Sequence, residues 1–170
     1  VGLTTIVIGT GCAWLLVMYD FPGKSWLDWG LVLPLAMPAY VLAYAYTDFL
    51  QFTGPVQGLI RSTTGWGWQA YWFPPIHSVG GAIFVLSMAL YPYVYVLTRS
   101  AFLEQSVCAL EVSRTLGCSA RGAFFRVALP LARPAIAAGA GFVVMETLAD
   151  FGAVKYFEVP TFTTGIYRAW

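Results

Sequence analysis

Four apolar stretches dominate the sequence, each about long enough to cross a hydrocarbon core of roughly 30 Å as a helix. They cover residues 1–19, 31–49, 78–98 and 131–149. Each is a continuous apolar run without the alternation of a barrel strand, and helices are the other structure that satisfies all backbone hydrogen bonds in lipid. The pattern therefore predicts an all-α, polytopic membrane protein.

The composition agrees with a lipid environment. Of the 170 residues, 59% are hydrophobic and 10% are charged, and the mean hydropathy is +0.70. In a soluble domain about a quarter of all residues are charged, and they cover its surface. The net charge of +1 produces no basic field, so we expect the bilayer, and not nucleic acid, as the surroundings of the chain.

The positions of the cations predict the topology. Residues 99–130 and the position just beyond them hold five of the nine Lys and Arg residues: Arg99, Arg114, Arg121, Arg126 and Arg133. Since cytoplasmic loops are enriched in Lys and Arg, this loop should face the cytoplasm, together with the short turn around Lys24. Residues 51–77, rich in Trp, Tyr, Gly and Pro, should form short helices at the outer surface.

One spacing within the cytoplasmic loop is distinctive. Glu111 is followed six residues later by Gly117, and after nine more residues by Val127, Leu129 and Pro130. This spacing resembles the E-A-A, three residues, G, nine residues, I-x-L-P loop of permeases in ABC importers. The resemblance identifies residues 1–170 as a partial type I transmembrane domain with a coupling loop over residues 99–130.

The resemblance implies a role for the loop and a set of partners. In that family the loop forms two short helices joined at the glycine and docks on a cytoplasmic ATPase, while an extracytoplasmic binding protein delivers substrate to two permease halves, fused or separate. It implies a non-catalytic subunit in a bacterial inner or plasma membrane. Val112 and Ser113 replace the two alanines and Val127 replaces the isoleucine, which puts the docking geometry in doubt.

Local sequence independently predicts a helix, a turn and a helix. Residues 101–116 contain helix formers without Gly or Pro, Gly117 can adopt the left-handed conformation that ends a helix, and Ser119 can cap the next one. Pro130 suits the point where the loop enters the membrane. The alternative is that Glu111 pairs with Arg114 and Gly117 is only a helix cap.

The segment from Met145 to Gly152, the Tyr156-Phe157 pair and residues 161–170 resemble ferric-iron permeases, in which two such halves share one chain. The resemblance implies ferric iron as cargo. Relatives for thiamine, sulfate or polyamines share much of this pattern, so those substrates stay open.

Two carboxylates near the outer membrane boundary are candidate pathway or gate residues. Glu146 and Asp150 are four residues apart and would share one face of a helix. They could line the pathway, attract a cation, or brace a gate through Lys155; alternatively, water solvates them. Gly139 and Gly141 favour close helix contact over ligand binding, and prolines 34, 38 and 92 predict kinks.

No pattern predicts an enzyme, a resident cofactor or a metal centre. His77 and the three cysteines show no metal-ligand spacing, and the sequence lacks a phosphate-binding loop, so we expect another polypeptide to hydrolyse ATP. Two other classes stay open: a membrane-embedded enzyme with Glu146 and Asp150 as acid and base, and an ion-driven carrier in which they bind the coupling ion.

Overall fold

The computed structural model describes residues 1–65, 73–104, 112–113, 115 and 117–169, without the side chains of Ala120 and Arg168. All regular elements within these ranges are helical, which confirms the all-α prediction. The helices are α1 (Gly2–Met18), α2 (Lys24–Val32), α3 (Ala39–Leu50), α4 (Pro55–Thr64), α5 (Val79–Glu104), α6 (Ala120–Ala123), α7 (Leu129–Ala149), α8 (Gly152–Tyr156) and α9 (Phe162–Ala169), with a 3-10 turn at Leu33–Ala36 and a π-helical turn at Phe124–Ala128.

Helix α5 forms the centre of the fold, and α1 and α7 both pack on it through a glycine. A Cβ atom at Gly9 of α1 would lie 2.9 Å from the backbone nitrogen of Tyr95, and one at Gly139 of α7 would lie 2.8 Å from the Cα of Val94. The missing side chains let the helix backbones approach closely. The prediction for Gly139 is therefore confirmed, whereas none of the described residues would lie within 4 Å of a Cβ at Gly141.

The second apolar run is not one continuous helix, and the break lies beside Pro38, one of the prolines predicted to cause a kink. Met37 is extended, with φ −118° and ψ 136°, and the two helical pieces on either side of it are bent by 111°. Steric conflict with the ring of Pro38 disfavours the α conformation in the preceding residue, which explains a break at this position. Pro92, by contrast, lies within α5 without ending it.

Among the residues that the structure describes, two helices are long and apolar enough to cross a membrane, Val79–Glu104 and Arg121–Ala149, or up to three if the bent pair counts as one span. Helix α1 is apolar but has 17 residues, close to the lower limit for a span. Helix α5 continues beyond residue 98, where a loop was expected, to Glu104. Four crossings remain a prediction.

The connections also differ from the sequence pattern in detail. The turn after α1 is shorter than expected because α2 already begins at Lys24, after Gly23 with φ 90°. Helix α4 confirms a short helix within residues 51–77. The aromatic residues at 66–72 lie outside the described residues.

Candidate functional site

Gly117 forms the turn in the loop that the sequence predicts to couple to an ATPase. Its φ of 84° is left-handed, and the backbone N–H of Cys118 donates to the carbonyl of Ser113 at 3.0 Å. A left-handed residue followed by this hydrogen bond is the Schellman arrangement that ends a helix, and glycine adopts it without a Cβ penalty. Val112, Ser113 and Thr115 before it are helical. Glu111 and Arg114 lie outside the described residues.

Ser119 begins the second helix of the loop. Its Oγ accepts the backbone N–H of Gly122 at 3.2 Å, and its carbonyl accepts the N–H of Ala123 at 2.8 Å. A serine that accepts an N–H three residues later is an N-cap, as the sequence predicts. Together, Gly117 and Ser119 make a sharp elbow of two helical ends, which we call the coupling elbow (residues 117–123).

The coupling elbow forms one side of an open cavity of about 540 Å³. The lining residues are Gly117, Cys118, Ser119, Arg121, Gly122, Phe125 and Arg126. Phe125 is 64% exposed. An exposed aromatic ring beside two guanidinium groups is a combination enriched in protein interfaces, so the elbow is suited to contact another protein.

The elbow and the following membrane helix form one rod. The helical course from Arg121 to Ala149 has 29 residues and includes the π-helical turn, where the N–H of Leu129 donates to the carbonyl of Phe124. Pro130 follows this turn; it lacks an N–H and its ring crowds the preceding turn of helix, which favours the wider π geometry. Pro130 was expected at the start of the membrane-spanning run, and it is the second residue of α7, although the helical course continues from the loop through it.

An aromatic cluster holds the base of this rod against the bundle. The ring centroid of Trp14 lies 4.6 Å from that of Phe124 and 5.6 Å from that of Phe102. Phe102 is 2% exposed. Of the other two motif positions, Val127 lies in the π-helical turn and Leu129 begins α7. The cluster thus links α1, the end of α5 and the π-helical turn, and the sequence pattern did not reveal it.

A polar cluster that the sequence analysis missed joins α2 to α5. The Arg99 guanidinium donates to Asp28 Oδ2 at 2.6 Å, and the hydroxyl of Tyr95 donates to Asp28 Oδ1. A lone carboxylate between Trp26 and Trp29 was the available signal, because a charge among aromatic residues at a membrane surface requires a partner. Both oxygens of Asp28 are therefore bound.

Glu146 faces a small cavity beside the break between α2 and α3. The cavity has a volume of about 280 Å³, and its lining includes Pro34, Met37, Pro38, Tyr93 and Glu146. Glu146 is the one charged side chain among the described residues that line it. Membrane transporters also bind ions beside interrupted helices, so the position of Glu146 beside the helix break is similar to such an ion site.

Asp150 is placed differently from Glu146. It is extended, with φ −67° and ψ 123°, just after the end of α7, and its Oδ1 accepts the backbone N–H of Ala153 at 2.8 Å. Among the described residues Lys155 forms no ion pair with either carboxylate; its ammonium lies 5.2 Å from the ring centroid of Phe151 and 5.5 Å from that of Tyr167. The structure thus gives Asp150 a capping position at the start of α8.

Within the described ranges, no three His, Cys, Asp or Glu side chains are close enough to hold a metal ion. His77 instead packs against aromatic rings, with its centroid 5.6 Å from that of Tyr156 and 6.1 Å from that of Phe157.

Comparison with known proteins assigns the chain to a family. The sequence profile described as binding-protein-dependent transport system inner membrane component matches residues 5–163. The chain is 30% identical to a Fe(3+)-transport system permease protein of Haemophilus influenzae over 171 aligned residues, which cover 100% of the chain and 29% of that relative.

Relatives named for other substrates are similarly distant. A molybdenum transport system permease protein of Escherichia coli K12 is 30% identical over 155 residues, or 91% of the chain and 65% of that relative. A sulfate transport system permease protein of Salmonella typhimurium is 28% identical over 155 residues, or 88% of the chain and 51% of that relative. The chain thus spans between about a third and two thirds of the length of these relatives. With a profile match over nearly its whole length, the chain belongs to the family of binding-protein-dependent transport system inner membrane components.

Proposed function

We propose that this chain is part of the permease of an ABC importer that passes ferric iron across a bacterial inner or plasma membrane. A cytoplasmic ATPase would dock on the coupling loop, and an extracytoplasmic binding protein would deliver the substrate. A second permease half, fused or separate, would complete the pathway.

The coupling elbow is the observation that supports ATPase coupling most directly. Gly117 and Ser119 produce a helix end and a helix start two residues apart, and the second helix continues into the rod that ends at Ala149. Because the rod contains no break, a displacement of the elbow by a soluble partner would move α7 as a unit. Glu111, Val127, Leu129 and Pro130 complete the proposed coupling residues.

Gly117→Val in the full-length permease tests this role. Valine at φ 84° is strained and would change the angle of the elbow. We expect uptake to be abolished while membrane insertion is retained, and the same result for Glu111→Ala. Gly65→Val is the matched control, since Gly65 also ends a helix, with φ 69°, but in the loop proposed to face outward. Normal uptake and ATPase binding in both Gly117→Val and Glu111→Ala would overturn the proposal.

The cavity at Glu146 supports a cationic cargo. Its described lining contains one carboxylate, the side chain of Tyr93 and no Lys, Arg or His. A carboxylate without a neighbouring cation attracts a cation and repels an oxyanion such as molybdate or sulfate. Among the named cargoes of the relatives, iron is the cationic one. We place Glu146 on the pathway, and Asp150 at the gate through its effect on the start of α8.

Uptake measurements with Glu146→Gln test the cargo class. We expect ferric-iron uptake by the reconstituted importer to fall at least about fivefold, because the substitution removes the charge and keeps the shape. Glu158→Gln, in the segment after α8, is the control. Uptake of molybdate, sulfate, thiamine or a polyamine without iron uptake would contradict the iron assignment. Uptake driven by an ion gradient without ATP would instead support the ion-driven carrier.

A further inference from the structure

The Asp28–Arg99–Tyr95 cluster connects two helices that otherwise share few buried groups. The Asp28 and Arg99 side chains are 29% and 34% exposed, whereas Tyr95 is fully buried at 0%. Tyr95 is therefore a fixed point in α5. The Tyr95 hydroxyl donates a hydrogen bond to Asp28, and Arg99, one turn further along α5, donates a second.

Helix α2 is anchored only weakly by hydrophobic contacts: Leu31 and Val32 at its C-terminal end pack, partly buried, against the cluster that contains Tyr91 and Tyr95. None of its residues is buried, and Trp26 and Trp29 are 87% and 81% exposed. Exposed tryptophans are typical of the boundary between lipid and water. Asp28 therefore adds to these partial contacts the polar link that holds the middle of α2 against α5.

The cluster lies between the coupling loop and the cavity of Glu146. Arg99 is five residues before Glu104, where α5 ends and the loop region begins. At its other end α2 continues through the Leu33–Ala36 turn to the break at Met37, which lines the Glu146 cavity. A shift at the end of α5 can thus reach the break through a single short helix.

We propose that Asp28 and Arg99 are positioning residues that transmit movement of the coupling loop to the helix break beside Glu146. Arg99 moves with the end of α5, Asp28 follows its guanidinium, and α2 rotates about the break at Met37. The Nε of Arg99 is buried and without a hydrogen-bond partner in this conformation, so a second bond to Asp28 is available when the helices shift. This inference rests on the proposed function. It gives movement of the coupling loop a second path, through α5 and α2, besides the path through the rod formed by α7.

The test uses the full-length importer with its ATPase and binding protein in liposomes, and measures iron imported per ATP hydrolysed. For Asp28→Asn we expect this ratio to fall at least about fivefold, the smallest effect typical of a coupled pair of sites. ATPase binding and basal hydrolysis should persist. The exchange Asp28→Arg with Arg99→Asp should recover most of the ratio, which a loss of general stability would not allow.

Asp20→Asn is the matched control. Lys24 donates to Asp20 at 2.8 Å, and this hydrogen bond and the positive charge of Lys24 lower the pKa of the Asp20 carboxyl. The pair is thus another ion pair, at the start of α2, but it does not involve α5. Its loss should leave the amount of iron imported per ATP hydrolysed unchanged.

The outcomes separate this inference from the proposed function. A wild-type importer without ATP-dependent uptake would contradict the proposed function. An unchanged ratio in Asp28→Asn, with wild-type uptake intact, would overturn only the positioning role. Where Asp28→Asn fails to insert, Arg99→Lys replaces it: a reduced ratio supports the inference and a normal ratio overturns it.

Discussion

Arg99 and Asp28, 71 residues apart in the chain, are joined by a hydrogen bond of 2.6 Å between guanidinium and carboxylate. The pair links α2 to the central helix α5 near the end of α5 that leads into the proposed coupling loop. Its contribution to stability and its role in coupling can be measured separately, since the first is read from unfolding of the permease alone.

A double-mutant cycle should detect the interaction. Asp28→Ala and Arg99→Ala each leave a partly buried charge without its partner, so each should lower the free energy of unfolding. The double variant should lose less than the sum of the two, with a coupling energy of about 0.5–3 kcal/mol. Unfolding in detergent micelles provides the measurement, and additive losses would show that the pair does not stabilise the fold.

The sequence predicted those parts of the structure that local chemistry determines. Apolar runs predicted helices because lipid satisfies no backbone group, and Gly117 and Ser119 predicted the elbow because helix caps depend on neighbouring residues alone. The partnership of Asp28 with Arg99 was missed because no periodic pattern encodes a contact between distant residues. Pro38 predicted a kink, but its angle of 111° depends on packing against α5.

Close packing at Gly9 and Gly139 makes both positions intolerant of a single methyl group. In Gly9→Ala and Gly139→Ala the new Cβ would lie within 3.0 Å of backbone atoms in α5, which cannot move aside as a flexible side chain would. Each variant should lose about 1–3 kcal/mol of stability through overpacking. Thermal unfolding of the purified variants in micelles measures this loss.

The same helices provide the controls for this prediction. Gly11 in α1 and Gly141 in α7 have no atom within 4 Å of a built Cβ among the described residues. Alanine at either position should leave stability unchanged or raise it slightly, since alanine favours helix over glycine by up to about 1 kcal/mol. Equal losses at all four positions would show that glycine is not required for helix contact.

The stability of the protein should depend on the side-chain oxygen of Asp150 more than on its charge. Its Oδ1 accepts the Ala153 N–H at 2.8 Å, a bond that asparagine can also make. Asp150→Asn should keep most of the stability, whereas Asp150→Ala should lose about 0.5–2 kcal/mol, as expected for removal of a helix cap. Iron uptake by both variants then measures the charge effect on its own, and impaired uptake in a fully stable Asp150→Asn would favour a direct role of the carboxylate.

Replacing Glu158 with glycine should stabilise the protein. Its φ of 56° is the one left-handed value among the described non-glycine residues. It follows α8, where the N–H of Val159 donates to the carbonyl of Val154 at 3.0 Å, the hydrogen bond that also accompanies Gly117. Because a Cβ disfavours this conformation, Glu158→Gly should raise the free energy of unfolding by up to about 1 kcal/mol.

Glu158→Ala removes the same carboxylate but keeps the strained Cβ, so it should show no gain. Thermal unfolding of both variants distinguishes backbone strain from the loss of the side chain, and equal stabilities would exclude strain as the cause.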